Sequence, residues 1–172
     1  DGPASAWRPV SPRLGFYIPL ALAILAAAYG YADARRIRSE RLVIETVKLP
    51  AGTERLTIAQ ISDVHLGLIV RSSRLQKILA AVRAADPDLL VSSGDLVDAQ
   101  INHLPGLREM LQEIRPRYGK FAVTGNHEYY AGLDTALEFT RASGFTLLRG
   151  ESRDVGPIVV AGSDAWPATG PS

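Results

Sequence analysis

Nineteen consecutive residues, Leu14 to Ala32, carry no charge, and most are Leu, Ile, Ala, Phe or Tyr. A helix crossing the hydrocarbon layer needs about 20 such residues. Arg8 and Arg13 precede the run, Arg35, Arg36, Arg38 and Arg41 follow it, and Tyr17, Tyr29 and Tyr31 lie near its ends, where amphipathic rings favour the interface. Ala26-Ala27-Ala28 mimics a cleavage site, yet a signal peptide has an apolar core of only about 7–15 residues. A buried core helix would not need the basic flanks. The run is therefore read as a retained transmembrane helix, with Pro19 in a first turn whose N–H groups are unpaired anyway. Two arginines before it and four after it place the C-terminal side in the cytoplasm.

This division gives an N-terminal flank (1–13), a span (14–32), a basic juxtamembrane linker with a first strand (33–50) and a folded domain (51–172). Residues 1–50 hold 7 Lys/Arg against 4 Asp/Glu, and residues 51–172 hold 12 against 14, so the net +1 of the chain hides a basic part and a mildly acidic one. Without a basic face there is no electrostatic case for a nucleic-acid binder, and no nucleic-acid partner is expected. The hydrophobic content, 47%, argues against disorder. There is no cysteine, which excludes disulfide frameworks, thiolate zinc sites and cysteine nucleophiles.

In the domain, apolar β-rich runs alternate with helical spacings. Leu42–Leu49 is predicted as a strand ending at Pro50-Ala51-Gly52, and Leu56–Ile61 as a second. Leu75, Ile78, Leu79 and Val82 recur at helical spacing until Pro87. Strands follow at Asp88–Val91 and Tyr118–Thr124, with helices at Leu107–Ile114 and Leu133–Ala142, then strands at Phe145–Leu148 and Ile158–Ala161. Alternation of this kind implies an α/β fold with parallel strand pairs.

Ligands of such sheets bind beyond the carboxyl ends of the strands. Three successive strand ends carry polar clusters: Asp63-Val64-His65, Gly94-Asp95-Leu96-Val97-Asp98 and Gly125-Asn126-His127-Glu128. Asp63 and Asp95 are 32 residues apart and Asp95 and Asn126 are 31 apart, one strand–helix unit each, so parallel strands bring all three loops to one rim. Carboxylate, imidazole and amide oxygen converging there suit a hard or borderline divalent metal. Singly, each residue has a plainer reading: Asp95 as a helix N-cap, Asn126 as a turn residue, His65 and His127 as polar loop residues. Glu128 is read as structural, by capping or by pairing with a base, and His103 as a surface loop residue. The plain readings do not explain three ligand-bearing strand ends in a row.

The order Asp-x-His, Gly-Asp-x-x-Asp, Gly-Asn-His-Glu, within residues 55–130, resembles the calcineurin-like metallophosphoesterase family. The apolar run ahead of it resembles the membrane-anchored bacterial branch, whose members are linked to UDP-2,3-diacylglucosamine pyrophosphate hydrolysis. The resemblance implies a four-layer α/β sandwich, a bacterial inner-membrane location and two divalent metal ions of Mn, Fe or Zn type. It places Asp63 and His65 on the first metal, Asp95 between both and Asn126 on the second. His127 would protonate the leaving oxygen, and Asp98 would orient His127.

Hydroxide activated by the metal pair would then attack a phosphodiester or pyrophosphate bond. Protein phosphatases of the superfamily follow Gly-Asp-x-x-Asp with Arg-Gly; Ala99-Gln100 stands here, which lowers the protein-phosphatase reading. The membrane anchor instead favours a small-molecule or lipid-linked phosphodiester or pyrophosphate near the bilayer. The family completes its site with a lone histidine and a Gly-His-x-His motif, and no histidine follows His127. The chain, which starts at Asp1, is thus expected to be a C-terminally truncated piece of a longer enzyme. The alternative is a non-catalytic, membrane-tethered binding relative of the same fold.

Overall fold

The computed structural model describes residues 11–67, 70, 72–98 and 106–164. It divides into two units, residues up to 38 and residues from 39 onward. The first unit is one helix, α1 (Pro12–Ala34). Ser11 caps it, its hydroxyl accepting from the Leu14 N–H at 3.3 Å, and Pro12 takes the first helical position, where the missing N–H costs nothing. The helix therefore starts two residues before the uncharged run. Pro19 lies inside it, a full turn beyond the expected first turn, and cannot donate to the Gly15 carbonyl. None of its residues is buried. With 23 residues and apolar side chains on every side, α1 is long and apolar enough to cross a membrane, and is the one such helix among the described residues.

In the second unit β1 (Ile58–Ile61), β2 (Leu89–Ser92), β3 (Lys120–Ala122) and β4 (Thr146–Leu147) form one sheet in that order, every neighbouring pair parallel. The connections carry α2 (Ser72–Ala85), α3 (Leu107–Gln112), α4 (Asn126–Tyr130) and α5 (Leu133–Ala142). A hairpin follows, β5 (Glu151–Asp154) antiparallel to β6 (Val159–Gly162).

Because strand side chains alternate between faces, the sheet separates two apolar clusters. Ile61, Leu90 and Ala122 pack with Leu75, Leu79 and Val82 of α2, Leu107 and Leu111 of α3, and Phe139 of α5. Leu89, Phe121 and Leu148 form the second cluster, with Val155, Ile158 and Val160 of the hairpin against them. Helices thus cover one face and the hairpin lies on the other, the mixed α/β architecture with a parallel sheet expected from the alternation.

Leu42–Leu49 is not a strand. Leu42, Val43, Ile44 and Val47 are exposed, and among the described residues no strand pairs with the segment. Its β-branched composition suits a pleated, half-buried surface, and propensity without a partner makes no ladder. Conversely, β5 has four exposed polar residues, Glu-Ser-Arg-Asp, and hairpin pairing forms it without an apolar signal.

Lys120, at the start of β3, is buried, and its ammonium donates to the carbonyl oxygens of Leu111 and Ser143, at 2.6 and 2.7 Å. These oxygens belong to the C-terminal ends of α3 and α5, where cations are favoured. Burial, with Arg115 nearby as a lesser cause, lowers its pKa from 10.5 to about 8. A neutral amine keeps two N–H donors, enough for both carbonyls. Between pH 8 and 10.5 the unfolded chain therefore binds more protons than the folded one, and stability rises with pH. Thermal melts are expected to show a rise on the order of 2 kcal/mol across that window. Lys120→Met, less stable throughout, should lack the rise.

Candidate metal centre

The three polar clusters sit on three loops at the carboxyl ends of β1, β2 and β3, and backbone hydrogen bonds stitch those loops together. Asp63 N–H donates to the Gly94 carbonyl at 3.2 Å, His65 N–H to Asp95 and Leu66 N–H to Leu96, both at 2.9 Å. Asp98 N–H then donates to Leu66 at 2.8 Å. Among the described residues, four that are not glycine have positive φ, and three of them are Asp63 (52°), His65 (50°) and Asp95 (53°). Asp and His tolerate this left-handed region better than most residues, and such strain concentrates where function holds it.

The third loop is pressed onto the second. A Cβ on Gly125 would fall 2.2 Å from an Asp95 carboxylate oxygen, so only glycine fits there. Asp95 Oδ1 accepts the backbone N–H of His127 at 2.9 Å and so caps the first turn of α4 from a different loop. This is the N-cap role that the sequence allows, exercised across space rather than on a helix of its own.

Glu128 fastens the arrangement from below. Its side chain is buried and accepts four backbone N–H groups: Leu96 at 2.7 Å, Gly125 at 2.7 Å, Asp95 at 3.0 Å and Val97 at 3.2 Å. Those bonds satisfy a buried carboxylate. Capping is thus its role, and it pairs the second and third loops through their backbones.

His65, Asp95 and His127 come together: one ligand atom from each lies within 4.8 Å of the other two. The two imidazoles meet edge to face, centroids 4.3 Å apart. His127 Nδ1 lies 3.3 Å from Asp98 Oδ1, a partner that fixes ring orientation. Tyr130, largely exposed, meets the His127 ring in a T-shaped contact, centroids 5.7 Å apart. Asp63 stands apart from the triplet, exposed, with its carboxylate 4.0 Å from His65 Nε2 and a 2.5 Å bond from the Ser62 hydroxyl. Asn126 opens α4, half-buried, between Gly125 and His127.

The donor set fits a divalent ion. His65 Nδ1 is buried and has no hydrogen-bond partner among the described residues, and an unpaired buried polar atom is costly. Two imidazoles and a carboxylate suit Mn, Fe or Zn. Sequence reasoning assigned His127 to proton transfer, while the geometry puts its ring among the metal-competent groups. Tyr130 gave no sequence signal, because one aromatic at a helix end has many ordinary explanations. His103 and the Ala99-Gln100 pair lie outside the described residues.

Comparison with known proteins agrees with this geometry. Residues 56–163 match the family model described as calcineurin-like phosphoesterase. An uncharacterised metallophosphoesterase of Aquifex aeolicus is 44% identical over 83% of this chain and 55% of its own length. A transmembrane protein with metallophosphoesterase domain from Danio rerio is 37% identical over 75% of this chain and 30% of its own length. An uncharacterised metallophosphoesterase of Campylobacter jejuni is 30% identical over 83% and 39%. The chain thus spans about half the length of the first of these relatives and less of the others. No solved structure matches it. With the family model covering the sheet and all three polar loops, the chain belongs to the calcineurin-like phosphoesterase family.

Proposed function

We propose that the protein is a membrane-anchored phosphoesterase with a dinuclear metal site, which hydrolyses a phosphodiester or pyrophosphate bond in a lipid-linked substrate. The convergence of His65, Asp95 and His127 within 4.8 Å at the sheet rim carries this reading. Asp63 and His65 would hold one ion, Asn126 the other, and Asp95 would be shared. Bound divalent ions supply Lewis acidity toward phosphoryl oxygens and water.

The chain's own groups supply the rest. Asp98, 3.3 Å from His127 Nδ1, would accept a hydrogen bond from the Nδ1–H of an imidazolium, whose Nε2–H would pass its proton to the leaving oxygen and leave the neutral ring. Tyr130, in T-shaped contact with the ring, would help hold its orientation. The length and apolar surface of α1 support a membrane anchor, the arginines after it support a cytoplasmic domain, and the name of the Danio rerio relative supports membrane association. The anchor favours a substrate held in the bilayer, of the UDP-2,3-diacylglucosamine pyrophosphate kind, in a bacterial inner membrane.

The full-length protein, reconstituted in phosphatidylglycerol vesicles with Mn²⁺, is expected to cleave bis(p-nitrophenyl) phosphate. It should cleave a nucleotide–diacyl lipid pyrophosphate in the same bilayer faster, and chelation should stop both reactions. Bound metal with neither reaction would contradict hydrolysis and support a tethered binding protein.

A further inference from the structure

A second group of polar side chains meets behind the third loop. The parallel register pairs Phe121 with Thr146 and Ala122 with Leu147, and Leu148 N–H continues it by donating to the Ala122 carbonyl at 2.9 Å. Extending that register by two residues sets Arg149 beside Thr124, the residue before Gly125. The hairpin then brings Asp164 to the same place. This needs Gly162, whose Cβ would stand 2.6 Å from both Leu148 Cβ and Val123 Cγ1, so β6 lies closer to β3 and β4 than any other residue permits.

There the buried Thr124 hydroxyl donates to Asp164 Oδ1 at 2.7 Å. Arg149 Nε donates to Asp164 Oδ2 at 2.6 Å. Arg149 also interacts electrostatically with Tyr129 of α4, two residues beyond His127. The Asp164 side chain is only 14% exposed, so its charge is committed to these partners.

We propose that Thr124, Asp164 and Arg149 are positioning residues that grip the Thr124–Tyr129 turn at both ends and hold Asn126 and His127 in register with Asp95. The turn is then fixed on two sides, by its own Glu128, which accepts N–H groups of the Asp95 loop, and by Asp164 from the hairpin. Glu128 sets the height of the turn through backbone N–H groups. The outer grip sets its rotation, because it engages one residue on each side of Asn126 and His127. An arginine–aspartate tie that served only to fasten the hairpin would not need the buried Thr124 hydroxyl or Tyr129.

The inference rests on the metal-site reading, and two readouts keep the two separable. Mn²⁺ affinity is measured by calorimetry on Thr124→Val, Thr124→Ser and Arg149→Met. The His127 ring resonance, identified by its absence from His127→Asn, is followed in the metal-free chain. Thr124→Val is expected to weaken Mn²⁺ binding about tenfold, as outer partners of metal ligands do, and to shift the His127 resonance. Thr124→Ser should restore both, and Arg149→Met should follow Thr124→Val.

If the Thr124→Val and Arg149→Met proteins melt lower but bind Mn²⁺ like wild type and leave the His127 resonance in place, the grip is merely structural and the inference falls. If wild type binds no Mn²⁺, the metal reading fails, and the resonance decides the positioning role alone: a shift in Thr124→Val reversed in Thr124→Ser upholds it, and no shift overturns it.

Discussion

Replacing Glu128 with alanine is expected to cost the domain about 3–5 kcal/mol, since each buried donor left unsatisfied costs about 1–3 kcal/mol. Four backbone N–H groups, of Asp95, Leu96, Val97 and Gly125, lose their acceptor together. They lie where the loops after β2 and β3 touch, with Leu96, Val97 and Glu128 buried. Domains are stable by only about 5–15 kcal/mol, so Glu128→Ala should remove a large share of the domain's stability. Glu128→Gln, which keeps one acceptor oxygen, should fall between. Urea denaturation followed by circular dichroism measures both, and a loss below about 1 kcal/mol for the alanine variant would show that the loops hold without this residue.

Asp95→Asn is expected to act in the opposite way, sparing the fold and removing the site. Asparagine tolerates the left-handed backbone at this position, and its amide oxygen can still accept the His127 N–H that Asp95 Oδ1 accepts. On the proposed reading, the lost charge is the one that would offset repulsion between two dications. Mn²⁺ affinity should fall more than about 100-fold, beyond the effect of an outer partner, and metal-dependent phosphodiester cleavage should go with it. Melting within a few degrees of wild type, together with that loss, separates a ligand from a structural cap. Wild-type metal affinity in the variant would return Asp95 to its plainer role.

The contrast between these two acidic residues shows what a sequence can and cannot carry. The rim was legible because spacings of 31 and 32 residues between Asp63, Asp95 and Asn126 imply strand–helix units, and parallel strands align their ends. The helix Leu133–Ala142 was legible down to its boundaries, with Ser143 and the positive φ of Gly144 closing it. Glu128 could be assigned to capping, but which N–H groups it caps depends on loops more than 30 residues apart in the chain.

Other features depend on tertiary contact and leave no local pattern. The grip of Asp164 on Thr124 joins residues 40 apart, and the polar strand β5 exists only because β6 pairs with it. The error at Leu42–Leu49 has the same origin. Its residues favour a strand, yet pairing is a property of two segments, and the described chain offers it none.

The most direct test of the account is a Mn²⁺ titration of the wild-type chain, with ring resonances of the histidines and backbone amides observed together. Held by Asp63, His65, Asp95 and Asn126 beside the His127 ring, the paramagnetic ion should broaden the His65 and His127 rings together at substoichiometric metal, before the amides of α2 or of the β5–β6 hairpin. Rings that stay sharp at stoichiometric metal, or broadening that begins elsewhere in the domain, would contradict a metal centre at the ends of these three strands.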